Sequence, residues 1–152
     1  MTDTAFIADR IVWQFRRSGA DGQQLRVFSA HPPGVQAQIG TMVGLGESEV
    51  PALAYFVDSA DWVLLTTDRL ARSENGQISS IPRGRIVDAS VDAASLRQAG
   101  ALGKEGLRTL VVTTVDGASS RIVLEAGRPF VGFWNALKML AAENVRLRRG
   151  AV

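Results

Sequence analysis

Apolar positions along the chain change period, and the change marks its organisation. From about residue 50 to residue 125 they form short runs separated by turn residues; beyond residue 128 they recur at helical spacing. Leu53–Val57 is a compact apolar and aromatic run closed by Asp58-Ser59-Ala60-Asp61, and Trp62–Thr66 is a second, leading through Thr67-Asp68 into Arg69–Arg72. Glu74-Asn75-Gly76 predicts a tight hairpin, because Asn-Gly tolerates the positive φ that such a turn needs. Gln77–Ile81 resumes the strand pattern up to a break at Pro82-Arg83-Gly84. Arg85–Asp92 then alternates, with Val87, Ala89 and Val91 on one face and Asp88, Ser90 and Asp92 on the other, as in a half-buried strand. Leu107–Val115 is rich in β-branched residues and pairs through Asp116-Gly117 with Ser120–Glu125. Short strands at this spacing predict an antiparallel sandwich or barrel.

A helix is expected over about 129–147. Pro129 suits a first helical turn, where its missing N–H costs nothing. Phe130, Phe133, Trp134, Leu137, Leu140 and Ala141 form one stripe, and Arg146, Arg148 and Arg149 crowd the end where the helix dipole favours cations. A stripe with three aromatics must be covered, and the open end of a twisted sheet is the expected cover. The fold class predicted is therefore mainly β with helix: an antiparallel β-sandwich capped by a C-terminal helix, occupying residues 46–152.

Residues 1–45 read as an N-terminal extension. Thr4 suits the cap of a helix over 4–17, with Ile7, Ile11 and Phe15 on one face. A hairpin is the alternative, since Ile11, Trp13 and Phe15 also alternate and Gln24–Ser29 follows a Gly-Ala-Asp-Gly turn. Two prolines and four glycines over His31–Gly46 predict loop with one short element.

Composition narrows the class. The 152 residues are 46% hydrophobic and 21% charged, ordinary for one globular domain and too apolar for a disordered chain. There is no cysteine, so disulfides and thiolate metal sites are excluded. The first ten residues carry acids where a signal peptide needs bases, and no apolar run reaches the roughly 18–20 residues of a membrane helix; a cytoplasmic location is expected. Net charge is +2, but residues 1–60 carry four bases against six acids and residues 61–152 carry 13 against nine. That asymmetry favours an anionic partner without the dense basic stripe of a nucleic-acid binder.

The run Trp62-Val-Leu-Leu-Thr-Thr-Asp-Arg-Leu70 resembles the Leu-Thr-x-x-Arg-Leu signature of bacterial pleckstrin-homology-like and related GRAM-type domains. Ile78-Ser-Ser-Ile81-Pro82 and Arg85–Val91 resemble that family's next two strands, and 127–142 its single capping helix, so the likeness covers about residues 47–145. It implies a pleckstrin-homology-like fold and a domain without catalysis that binds lipid headgroups, peptides or proteins. Phosphoinositide-binding members place lysines and arginines between the first two strands. Here that loop is Asp58-Ser59-Ala60-Asp61, whose acids repel phosphate.

Catalytic patterns fail on inspection. His31 is the only histidine, and no Gly-x-Ser-x-Gly elbow occurs. Gly103-Lys104 lacks the first glycine of a phosphate-binding loop, where Gln98 stands, and has Glu105 in place of Ser or Thr. Gly40, Gly44 and Gly46 lack dinucleotide spacing. Asp58, Asp61 and Asp68 would suit a hard cation if they gathered, though turn aspartates commonly serve their own backbone. The candidate anion- or partner-binding residues are Arg97, Lys104 and Arg108, in or beside the Ala/Gly-rich connection 93–106, with Arg83 and Arg85 flanking a turn as a second set. No cofactor or metal is expected. The function expected is binding of a protein partner or a second copy through exposed sheet edges, with recruitment to an anionic membrane surface as the alternative.

Overall fold

The computed structural model describes residues 4–100 and 106–150. In chain order these form α1 (Thr4–Ser18), β1 (Leu25–Val27), α2 (Pro33–Val43), β2 (Pro51–Asp58), β3 (Asp61–Thr66), β4 (Arg69–Glu74), β5 (Gln77–Pro82), β6 (Ile86–Ser90), α3 (Ala93–Ala99), β7 (Thr109–Thr114), β8 (Ser119–Val123) and α4 (Arg128–Gly150). Strands β1 to β5 make one antiparallel sheet in sequential order, and β6 to β8 make a second. Two antiparallel sheets with a C-terminal helix are the architecture expected from the strand spacing and are consistent with a pleckstrin-homology-like fold, though α1 and α2 make it a mixed β and α structure and not a mainly β one.

Local chemistry explains the meander. Asn75 and Gly76 both adopt positive φ, 53° and 82°, and close the β4–β5 hairpin with Glu74 opposite Gln77. Strand β3 is buried on both faces, which is why its sequence reads as a continuous apolar run. Val63 and Leu65 point into the main core between the sheets, while Trp62 and Leu64 join Ile39, Ala54 and Ala71 in a second cluster on the opposite face.

That second cluster exists because α2 packs there. The segment expected to be loop with one short element is an eleven-residue helix. Its prolines precede or begin the helix, where no N–H is needed, and Gly44 ends it at φ 67° with its N–H bonded to Gly40 O. The Pro and Gly content is thus helix punctuation. Part of the connection 93–106 is also helical: Asp92 caps α3 by accepting a bond from Ser95 N at 2.8 Å.

Helix α1 and strand β1 share the main core. Ile7, Ile11 and Phe15 of α1 and Leu25 and Val27 of β1 lie in one cluster with Phe130, Phe133, Leu137 and Leu140 of α4. Helices α1 and α4 run antiparallel, since Phe15 meets Gly132 while Arg10 pairs with Glu143. The crossing is backbone against backbone: a Cβ on Gly132 would stand 2.7 Å from Phe15 O, and one on Gly19 would stand 2.4 Å from Arg128 O. At the base of β1 the Glu125 carboxylate accepts from Gln23, Gln24 and Leu25 N–H at 3.0 to 3.1 Å, which ties the end of the second sheet to the first. Helix α4 is fastened to β6 by Trp134 Nε1 donating to Ala89 O (2.8 Å) and by buried Asn144 donating to Ile86 O (2.8 Å) and Arg83 O (2.7 Å).

This crossing makes a testable contrast. Gly132→Ala must displace Phe15 and is expected to cost about 1–3 kcal/mol, as overpacked sites do. Gly34→Ala, where nothing lies within 4 Å, is expected to leave stability unchanged or raised. Thermal denaturation of the two variants reads the difference.

Candidate functional site

The Thr-x-x-Arg corner between β3 and β4 is densely hydrogen-bonded. Thr66 Oγ1 accepts from Asp68 N and Arg69 N, both at 3.0 Å, and donates to Glu49 Oε2 at 2.5 Å. Arg69 grips the same carboxylate with two donors, Nε to Oε2 at 2.9 Å and Nη2 to Oε1 at 3.0 Å, and reaches Val43 O and Gly44 O at the end of α2. Burial pushes the Glu49 carboxyl up, but bonds from Arg69, Gly46 N and Thr66, with the charge of Arg69, outweigh it and hold it below its ordinary value. All of these groups are satisfied within the chain, so the corner is a structural lock. His31 is another internal fastener: its buried Nε2 donates to Ala54 O at 2.7 Å, and burial holds its pKa below the usual 6.5.

The cations singled out from sequence do not converge. Arg83 is committed internally, its Nε donating to Thr67 O. Exposed Arg85 pairs with exposed Asp116 at 3.6 Å, an arrangement of little energetic weight. Arg97 is exposed on α3 and makes no hydrogen bond or ion pair among the described residues. Lys104 lies outside the described residues. Arg108 donates to Leu124 O at 3.2 Å and borders a cavity of about 280 Å³ with Ser95, Thr109 and Val123. The aspartates do not gather either. Asp58 and Asp61 close the β2–β3 hairpin while Asp68 lies beyond the other end of β3. No group of three or more His, Asp or Glu is placed to hold a metal ion among the described residues.

What the structure does assemble is a cleft where the two sheets part, between the β4–β5 hairpin and β8. Its floor is Leu70, Ile81 and Ile122, and its walls carry Ser79, Ser80 and Ser120 around a space of about 170 Å³. It continues past Arg72 into a space of about 290 Å³ beside Asp61, Glu74, Arg121 and Val123. Arg72 stands at the junction, donating to Arg121 O on β8 and lying 3.6 Å from Glu74. Arg121 in turn pairs with Asp92, whose carboxyl is lowered to about 2 by the bonds from Ser95 and Arg121.

Both strands bordering the cleft have an unpaired edge. Among the described residues β5 pairs only with β4, and β8 only with β7. Ile78 on β5 and Val123 on β8 are more than half exposed. The hairpin end is acidic: desolvation and the nearby charges of Asp58 and Glu74 push the Asp61 carboxyl above its ordinary value, against the pull of Arg108. A carboxylate crowded by like charges is relieved by an incoming cation.

Searches of family models, curated proteins and solved structures return no match to this chain.

Sequence reading did not identify Arg72, Ile78 or Arg121 as site residues. Each is an unremarkable strand residue until the sheets are stacked. Only the exposed apolar Ile78 beside the Asn-Gly turn is a local signal, since a hairpin tip is ordinarily polar.

Two measurements test the internal fasteners. Arg69→Ala leaves the Glu49 charge buried and unpaired, with an expected loss of about 3 kcal/mol; Arg69→Lys is expected to recover only part, because the ammonium cannot bridge both oxygens. For His31, the folded pKa lies below the unfolded one. Its contribution is present in full above pH 6.5 and is lost as pH falls below that value, because only the unfolded chain binds the proton readily. His31→Gln is expected to flatten the fall in melting temperature between neutral and mildly acidic pH.

Proposed function

We propose that this chain is a non-catalytic binding module of pleckstrin-homology-like type, and that it captures an extended segment of a partner protein along the cleft between β5 and β8. The observation that carries this reading is the coincidence of an unpaired strand edge, an apolar floor and polar walls in one groove. Backbone groups on a free edge give a peptide strand its hydrogen bonds, and pockets for alternate side chains give selectivity. The spaces of about 170 and 290 Å³ fall below the roughly 300–1,000 Å³ typical of enclosed small-molecule sites, which favours a side chain or two of a longer ligand.

The electrostatics suggest the chemistry of that segment. An apolar side chain suits the floor formed by Leu70, Ile81 and Ile122. A lysine or arginine suits the acidic end, where Asp58, Asp61 and Glu74 repel one another. Exposed Ile78 lies beside this path and offers apolar area to a bound strand.

Selection from a library of random peptides, followed by amide chemical-shift mapping, tests the reading. The expected footprint covers Arg72, Ile78–Ile81 and Ser120–Val123, and selected peptides are expected to carry a basic residue. Ile78→Lys is expected to weaken binding at least roughly tenfold, in keeping with the value of one buried aliphatic side chain. Asp61→Asn is expected to weaken it while leaving the free protein as stable or slightly more so, since it removes a like-charge repulsion. Peptides whose footprint lies elsewhere would overturn the assignment.

A further inference from the structure

A second surface, on the other side of the chemistry, is formed by the two terminal helices. On α1 the side chains Phe6, Arg10, Trp13 and Arg17 recur at intervals of four, three and four residues, so they form one stripe opposite the buried Ile7, Ile11 and Phe15. Phe6 is 56% exposed and Trp13 58%. The Arg10 guanidinium lies 5.8 Å from the Phe6 ring centre and that of Arg17 lies 5.1 Å from the Trp13 ring. Helix α4 extends the patch. One turn beyond the Arg10–Glu143 ion pair, each helix carries an exposed apolar side chain, Phe6 on α1 and Leu147 on α4, the latter 69% exposed. Arg16 and Arg146 flank these groups, both exposed, and Asp9 is the one acid on the outer side of α1.

The charge is segregated in the same sense. Helices α1 and α4 together hold eight bases and two acids, a net of +6, whereas the whole chain is +2; every other residue together amounts to −4. A helical layer this basic repels a second copy of itself. Its aromatic and aliphatic groups, meanwhile, are set among guanidiniums, the arrangement by which interfacial helices enter the boundary between headgroups and acyl chains. None of the cleft residues belongs to either helix, so this surface is separate from the peptide groove.

We propose that the outer face of α1, with the adjoining end of α4, docks on an anionic lipid bilayer. Phe6, Trp13 and Leu147 enter the interfacial region, and Arg16, Arg17 and Arg146 meet lipid phosphates. No helix among the described residues is long and apolar enough to cross a membrane, so the contact is peripheral. The residues that do this are not Arg97, Lys104 or Arg108, and the acidic β2–β3 loop takes no part.

The test uses the full chain and vesicles of phosphatidylcholine, with and without about one third phosphatidylglycerol, at about 0.05 and 0.5 M salt. Sedimentation with the anionic vesicles at low salt, and its loss at high salt, is expected. Arg16→Ala/Arg17→Ala is expected to weaken it roughly tenfold or more, from the usual value of a basic residue near an anionic surface. Phe6→Ala/Trp13→Ala is expected to weaken sedimentation likewise, and the unmodified chain is expected to show a vesicle-induced blue shift of tryptophan emission that Trp13→Phe removes, since Trp62 is buried and Trp134 half-buried. These side chains are exposed, so melting temperatures are expected to stay unchanged and a folding defect would be visible. Ile78→Lys, which alters the β5 edge beside the peptide groove, is expected to bind vesicles as the unmodified chain does, so the two assignments fail separately. Absence of sedimentation, sedimentation insensitive to both double variants, or binding of single-stranded DNA with no binding of vesicles would each overturn the proposal.

Discussion

The ion pair of Glu49 and Arg69 joins three pieces of chain at one point. Arg69 opens β4, Glu49 lies in the segment leading to β2, and the carbonyls of Val43 and Gly44 end α2. Removing a carboxylate from water is expensive, and the cost is offset here because both oxygens are engaged by a planar guanidinium held by further carbonyls. The consequence is positional. With the end of α2 held against the β3–β4 corner, the helix lies over Trp62 and Leu64, and β3 is buried on both sides. The run Leu65–Leu70 therefore has a physical role: Thr66 organises the turn, and Arg69 fastens the turn to what precedes it.

The opposite side of the sandwich is held by different means. Helix α4 presses on β6 through Trp134 and Asn144, each donating to strand carbonyls, and this covers an edge that would otherwise be open. Two glycines allow α1 to cross α4 at backbone distance, so the amino-terminal helix completes the core instead of lying beside it. Only β5 and β8 are left with free edges next to a groove, and the exposed Ile78 and Val123 lie there. A fold that protects its other edges and leaves these two uncovered directs any strand-like ligand to one place.

Charge follows the same division. The basic excess belongs to the helices at the two ends of the chain, and the acidic excess to the sheets between them. Counting charge by halves of the sequence hides this, because α1 falls in the half that is net acidic. The fold places the first and last helices in one layer and so turns a weak linear asymmetry into a strong spatial one. A basic layer on one side and an acid-ended groove elsewhere suit a protein that faces two different partners.

Much of the architecture was legible because it is local. Period-2 alternation, the Asn-Gly turn, and the aromatic stripe after Pro129 each depend on residues a few positions apart, and the sheets and α4 formed where those signals stood, although a bulge between Ile86 and Asp88 buries Ile86 with Ala89 where strict alternation would bury Val87. Helix α2 was hidden because its prolines and glycines are also loop residues, and only its packing on Trp62 shows which role they take. The choice between helix and hairpin for the first segment had the same cause, since Ile11 and Phe15 fit either period until α4 supplies a partner for one face. The candidate sites were least legible. Arg97 and Arg108 look available in sequence, yet one stands apart on α3 and the other is engaged with Leu124 O. Arg72 reaches Arg121 only when two sheets are stacked, and Phe6 and Leu147 share a surface only when helices at opposite ends of the chain lie side by side. Sequence determined the elements, because their periods are set by bonds between near neighbours; tertiary structure alone decided the surfaces, because a surface is made of residues that the chain itself keeps far apart.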